Sequence, residues 1–169
     1  MDKNIVLIGM MGSGKTTVGG LLARRLRRPF IDTDALIGER EGRSIPDIFA
    51  RDGEDHFREL ELKTARELSG RAGLVVACGG GLPMQDEAIR ALKENGLVFW
   101  LDRDPGGTYD ALDVSGRPLA RSGRDGFIKR YQDRAPVYRR WADHIIPCGD
   151  GPDAAERLIS TIYLEVSQP

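Results

Sequence analysis

Residues 9–16 read Gly-Met-Met-Gly-Ser-Gly-Lys-Thr, the pattern G-x-x-x-x-G-K-[ST], directly after the apolar run Ile5-Val6-Leu7-Ile8 and directly before a stretch with helical periodicity. A strand, a glycine loop and a helix in that order let the backbone wrap around phosphate oxygens. Several N–H groups point inward, and the partial positive end of the helix lies at the same point. Lys15 is placed to reach the β- and γ-phosphates, and the Thr16 hydroxyl to ligate a Mg²⁺ that bridges them. The implied anion is ATP or GTP. Guanine selection usually needs Asn-Lys-x-Asp, and neither Asn4 nor Asn95 is followed by lysine, which argues against a GTPase switch. Asp104 and Gly107 satisfy a bare D-x-x-G spacing, but at an expected helix start, where a structural role is the natural reading.

The remaining periodicity extends this unit into a parallel α/β sheet. Short apolar runs at residues 4–8, 29–33, 74–78, 97–101 and 144–147 alternate with amphipathic segments, and five strands fit one sheet. Helical spacing relates Val18, Leu21, Leu22 and Leu26, then Phe57, Leu60, Thr64 and Leu68, then Ala155, Leu158, Ile159, Ile162 and Val166. Gly19 and Gly20 inside the first helix are read as packing glycines or tolerated ones. Pro152 suits the first turn of the last helix, and Gly96 a helix stop. At 169 residues the chain is expected to form one domain, and it has no apolar run of membrane-spanning length.

Lys and Arg total 25 against 26 Asp and Glu, so nothing draws the whole molecule to nucleic acid or to an acidic membrane, and phosphate binding must be local. Cys78 and Cys148 lack metal or redox spacing, and no signal-peptide layout opens the chain; a cytoplasmic protein is expected. With its apolar stripes assigned to the core, it is expected to be a monomer.

Asp32-Thr33-Asp34 closes the second run, at the carboxyl edge where open α/β sheets bind ligands. Strand alternation would turn both carboxylates to one side, one to serve the metal through water and one to meet an acceptor hydroxyl; alternatively, Asp34 caps the following helix. Gly79-Gly80-Gly81 closes the third run at the same edge and reads as a wall that a ligand approaches closely, or as a simple turn. Cys78 before it reads as a small core residue. Residues 113–125, rich in Gly, Ser and Arg, are expected to be a mobile loop, either a linker or a lid.

Taken in order, Gly9 to Thr16, Phe30-Ile31-Asp32-Thr33-Asp34, Ser44-Ile45-Pro46-Asp47-Ile48-Phe49, Phe57-Arg58-Glu59-Leu60-Glu61, Gly79-Gly80-Gly81, Arg117-Pro118-Leu119 and Arg134-Ala135-Pro136-Val137-Tyr138 resemble the shikimate kinase family over nearly the whole chain. The resemblance implies a three-layer P-loop kinase fold with a five-stranded parallel sheet, helices on both faces, a substrate-binding region at about 34–61 and a lid at about 113–125. It implies transfer of the ATP γ-phosphoryl group to the 3-hydroxyl of shikimate, with Mg²⁺. By the same resemblance, Lys15, Asp34 and Arg117 are catalytic, with Asp34 as general base and Arg117 arriving with the lid. Gly12, Ser13, Gly14, Lys15, Thr16, Thr17, Arg117 and Pro152 hold the nucleotide. Asp34, Arg58, Gly80, Gly81 and Arg134 hold shikimate, the two arginines on its carboxylate, and Glu61 orients Arg58. Thr16 and Asp32 serve the metal, and Ile45, Phe49, Phe57, Pro118 and Leu119 wall the ring or simply pack the core.

The chain departs from the family at one point. An arginine that stacks over adenine is common on the helix before the lid, but here that stretch reads Gly107-Thr108-Tyr109-Asp110-Ala111-Leu112-Asp113. Tyr109 is expected to offer a stacking face instead, opposite the loop at 149–152. Rival readings are a gluconate-type or nucleoside-monophosphate-type kinase, and a nucleotide-binding regulatory module without catalysis. The joint presence of Asp32, Asp34 and Arg117 favours an enzyme, and Arg58 and Arg134 favour a carboxylated polyol over a base.

Overall fold

Along β1 (Asn4–Ile8) every residue is buried, but alternate side chains enter different cores. The computed structural model, which describes residues 2–112 and 122–167, shows where that alternation leads. β1 lies at the centre of a five-stranded sheet with β2 (Phe30–Asp32), β3 (Val75–Ala77), β4 (Gly96–Asp102) and β5 (His144–Pro147), in the order β2-β3-β1-β4-β5. All neighbours are parallel, with Ile5 opposite Val75 and Leu97, and Leu7 opposite Ala77 and Phe99.

Val6 and Ile8 join Val76, Val98 and Trp100 in one core, which α3 (Ile45–Ser69), α4 (Asp86–Glu94) and α6 (Gly123–Trp141) cover with Leu68, Ile89, Phe127 and Tyr138. Ile5 and Leu7 join Val75, Phe99 and Leu101 in the other, beneath α1 (Lys15–Leu26) and α7 (Pro152–Ser167). Two further helices, α2 (Thr33–Glu41) and α5 (Pro105–Asp110), sit at the carboxyl edge of the sheet. The expected three-layer α/β architecture is therefore present. No described helix is long and apolar enough to cross a membrane.

Several local signals act as the sequence predicts. Gly19 is buried because a Cβ there would collide with the Phe30 ring, whereas Gly20 faces open space. Asp104 caps α5 by accepting from Gly107 N at 2.6 Å, which gives the D-x-x-G match its structural reading. Buried Asn4, which pattern reading passes over, accepts from Leu74 N at 2.8 Å and donates to Arg71 O at 2.8 Å, tying β1 to the turn before β3.

Three expectations need correction. The second strand ends at Asp32, because its Oδ1 accepts from Asp34 N and Ala35 N at 3.0 and 3.1 Å and so starts α2 one residue later. Asp32, not Asp34, is the cap, and Asp34 belongs to the first turn of the helix. Residues 123–125 are the opening turn of α6, with Gly123 in the left-handed region at φ 75°, so the loop is shorter than its composition suggests; residues 113–121 lie outside those described. On α7, Ala155, Ile159 and Tyr163 form the i, i+4, i+8 set that enters the core, while Leu158, Leu164 and Val166 are 41, 51 and 52% exposed. Leu158 and Val166, assigned to the core face by their spacing, therefore lie at the surface.

Candidate active site

The loop between β1 and α1 bends through three glycines in positive-φ conformations, Gly9 at 145°, Gly12 at 76° and Gly14 at 99°. Gly14 forms the cap of α1, so the first N–H groups of the helix stay unclaimed by any side chain. Lys15 folds back beneath the loop, its Nζ donating to Gly9 O at 2.8 Å and Met10 O at 2.7 Å. Enclosure of the ammonium lowers its pKa to about 8, against the opposing pull of nearby acids including Asp34 and Asp32. Thr16 Oγ1 donates to Asp32 Oδ2 at 2.9 Å, which joins the end of β2 to the start of α1.

These groups open onto a cavity of about 420 Å³ lined by Lys15, Thr16, Asp32, Asp34, Gly79 and Gly80. Asp34 is largely enclosed, and its Oδ1 is buried without a hydrogen-bond partner among the described residues. Burial first, and the neighbouring Asp32 second, raise its pKa above the ordinary carboxylate value.

The three consecutive glycines after β3 adopt φ values that any residue tolerates; what they provide is close approach. A Cβ on Gly79 would collide with the Asp34 carboxylate. On Gly80 it would lie 3.3 Å from Arg134 Nη1, and on Gly81 it would lie 2.6 and 2.7 Å from the two terminal nitrogens of Arg58. One carboxylate and two guanidinium groups, from α2, α6 and α3, therefore converge on one strip of bare backbone beside Lys15.

Their supports come from separate elements. α3 is broken at Gly53 (φ 84°, ψ 171°), and its second segment carries Arg58 and Glu61. Arg58 Nη1 donates to Glu61 Oε2 at 2.6 Å, Gln85 Nε2 donates to the same oxygen at 2.8 Å, and Arg58 Nη2 meets the exposed Glu54 at 3.1 Å. Burial outweighs these bonds and pushes Glu61 up to about 7. Tyr138, one turn after Arg134, donates to Gly80 O at 2.7 Å, and Thr33 Oγ1 accepts from Gly79 N at 2.9 Å. The sequence reading gave no role to Thr33, Gln85 or Tyr138; the i+4 spacing of Tyr138 from Arg134 was the one available signal.

A second cavity, of about 350 Å³, continues from the first on the α7 side and contains Ser13, Thr17, Arg103, Gly149, Gly151 and Pro152. Ser13, Thr17 and three residues of the loop at 149–152, Gly149, Gly151 and Pro152, thus line one cavity. Tyr109 does not: it packs against Phe127 with centroids 5.7 Å apart and joins the core beneath α6. Phe57 is core packing with Ile37 and Ile48, and Ile45 lies against that cluster. Phe49 is 37% exposed and tilted against Phe57, so none of the three lines either cavity. Cys78 is buried, with its thiol pKa pushed far upward, which removes it as a nucleophile. Arg117, Pro118 and Leu119 lie outside the described residues.

A parallel three-layer sheet with a glycine loop and lysine at the end of its central strand, and an acid beside it, defines a P-loop kinase. A family model described as shikimate kinase matches residues 11–163. The shikimate kinase of Pelotomaculum thermopropionicum is 52% identical over 150 residues, 87% of each chain, and that of Clostridium botulinum (strain Eklund 17B) is 38% identical over 164 residues, 97% of this chain and 99% of its own. The solved shikimate kinase of Acinetobacter baumannii in complex with shikimate superposes with a TM-score of 0.90 at 34% identity, covering 99% of this chain and 97% of that one. This chain belongs to the shikimate kinase family.

Proposed function

We propose that the protein transfers the γ-phosphoryl group of ATP to the 3-hydroxyl of shikimate, giving shikimate 3-phosphate and ADP. The observation that carries this reading is the glycine strip at 79–81, along which Asp34, Arg134 and Arg58 gather next to the lysine of the phosphate loop. Two guanidinium forks suit one carboxylate, and a neighbouring acid suits a hydroxyl, a set that favours a carboxylated polyol over a nucleobase edge. The family membership and the likeness to the shikimate-bound Acinetobacter enzyme support the same substrate.

Gly12 to Thr17 cradle the phosphates, with Lys15 on the β- and γ-oxygens and Pro152 against the base. Arg58 and Arg134 hold the shikimate carboxylate, Gly80 and Gly81 lend close backbone contact, and Glu61 with Gln85 fixes the Arg58 fork. Asp34, with its raised pKa and unpartnered Oδ1, takes the proton from the 3-hydroxyl. The hydroxyl oxygen then bonds to the γ-phosphorus as the bond to the β-phosphate oxygen breaks and ADP leaves. Arg117, on the lid that the resemblance places before α6, is assigned to the transferring group by family resemblance. The substrate-binding region at about 34–61 holds Asp34 and Arg58.

Thr16 and Asp32 would hold Mg²⁺. Their hydroxyl and carboxylate are hard oxygen donors already within 2.9 Å of each other, and among the described residues no cluster of three or more His, Cys, Asp or Glu could hold a metal alone. That donor set fits an ion completed by phosphate oxygens and water. When bound, Mg²⁺ neutralises charge on the β- and γ-phosphates. Two cysteines with no pairing suit a cytoplasmic location.

A coupled ADP-release assay with shikimate, gluconate and a nucleoside monophosphate offered in turn tests the reading. Release that depends on shikimate alone is expected; release equally fast with gluconate or a nucleotide would overturn it.

A further inference from the structure

Arg103 follows directly from the last residue of β4, at the carboxyl edge of the sheet. It is exposed, yet it lines both cavities: the one with Lys15, Thr16 and Asp32, and the one with Thr17 and Pro152. Among the described residues it is the one basic side chain of the second cavity, and it joins Lys15 in the first. Its Nη1 donates to Gly12 O at 3.2 Å, so the guanidinium rests on the rim of the phosphate loop where the two spaces meet. A nucleotide with its terminal phosphates at Lys15 and its base near Pro152 must pass that point with its α-phosphate and ribose.

The helix after Arg103 offers no substitute. Asp110 stands in the stretch where an adenine-stacking arginine is common, and it accepts from Arg124 Nε at 3.0 Å, bracing α5 against the start of α6. Arg124 also occupies the space a Cβ on Gly106 would fill, with Nη2 2.6 Å from that point. Asp110 and Tyr109 line neither cavity.

We propose that Arg103 is a nucleotide-binding residue of this chain, gripping the α-phosphate end of ATP where it crosses from one cavity to the other. Among the described residues its one hydrogen bond, to Gly12, leaves other guanidinium N–H groups to serve a phosphate oxygen. Sequence reading missed it because a lone arginine after a strand resembles any solvated charge; only the neighbouring cavities distinguish it.

The inference rests on the ATP site proposed above, and the test separates the two. ADP binding is measured by calorimetry on the wild-type chain, Arg103→Ala and Arg103→Lys, alongside KM for ATP, KM for shikimate and kcat. Arg103→Ala is expected to weaken ADP and raise KM for ATP by about tenfold, the order of one charge-assisted hydrogen bond at an exposed site. Its kcat and its KM for shikimate should stay within about threefold, and Arg103→Lys should recover part of the loss, because it restores the charge without the fork. An Arg103→Ala protein whose kcat falls while KM for ATP is unchanged overturns the proposal. An Arg103→Ala protein that binds ADP as tightly as wild type overturns it alone; a wild-type chain that binds no ADP overturns both it and the nucleotide site.

Discussion

Glu61 shows how a buried acid can serve a binding site at a cost to stability. It is 1% exposed, shared between Arg58 and Gln85, and its pKa is pushed up to about 7 because burial outweighs those bonds. Arg58 is shifted upward as well: its own burial works against the charge, but its bonds to Glu61 and Glu54 outweigh it. The folded state therefore favours protonated Glu61. Its stabilising contribution is full below the unfolded value near 4.5 and is lost as pH rises through 7. Wild-type stability should consequently lose about 2 to 3 kcal/mol between pH 5 and pH 8 through this group. Urea denaturation of Glu61→Gln, which cannot titrate, should show that much less decline over the same interval; an unchanged decline would show that Glu61 does not titrate there.

At the scale of elements, the site depends on how closely α2, α3 and α6 approach the end of β3. Gly79, Gly80 and Gly81 set that approach, because each missing Cβ is replaced by a polar group from a different helix. Gly81→Ala would press on the Arg58 guanidinium, which Glu61, itself bonded to Gln85, holds by a short bond and which cannot simply swing away. The expected result is a rise in KM for shikimate of about tenfold or more, with KM for ATP unchanged. Steady-state kinetics on the variant checks this, and a shift in KM for ATP instead would place Arg58 elsewhere in the reaction. The break of α3 at Gly53 belongs to the same design, since its positive φ redirects the segment that carries Arg58.

At the scale of the whole molecule, the central position of β1 puts the phosphate loop between β3, which leads into the glycine strip, and β4, which Arg103 directly follows. The proposed acceptor and nucleotide sites thus flank one strand end, as expected at the switch point of a doubly wound sheet. Phosphoryl transfer needs water kept from the transferring group, the task proposed for the lid and Arg117. Arg117→Ala should lower kcat by about a thousandfold while leaving KM for shikimate within a few-fold. Unchanged turnover in stopped-time assays would remove Arg117 from the reaction.

Much of this was legible in the sequence. G-x-x-x-x-G-K-[ST] after an apolar run gave the loop, the strand before it and the helix after it, because those signals act through dihedral angles and caps within a few residues. The five strands were found to within a residue or so for the same reason: alternation and β-branching are local. Asp32 and Asp34 were found, but their geometry was not, since the cap at Asp32 ended the strand before alternation could place Asp34. The outward face of α7 was misjudged because Leu158 and Val166 are as apolar as Ile159, and only the packing of α7 on the sheet determines which side is covered. Local chemistry, in short range of each residue, determined the phosphate loop and the order of elements. The tertiary structure alone decided that Asp34, Arg58 and Arg134 meet along three glycines and that Arg103 stands between two cavities, because those contacts join chain segments that only the folded sheet and helices bring together.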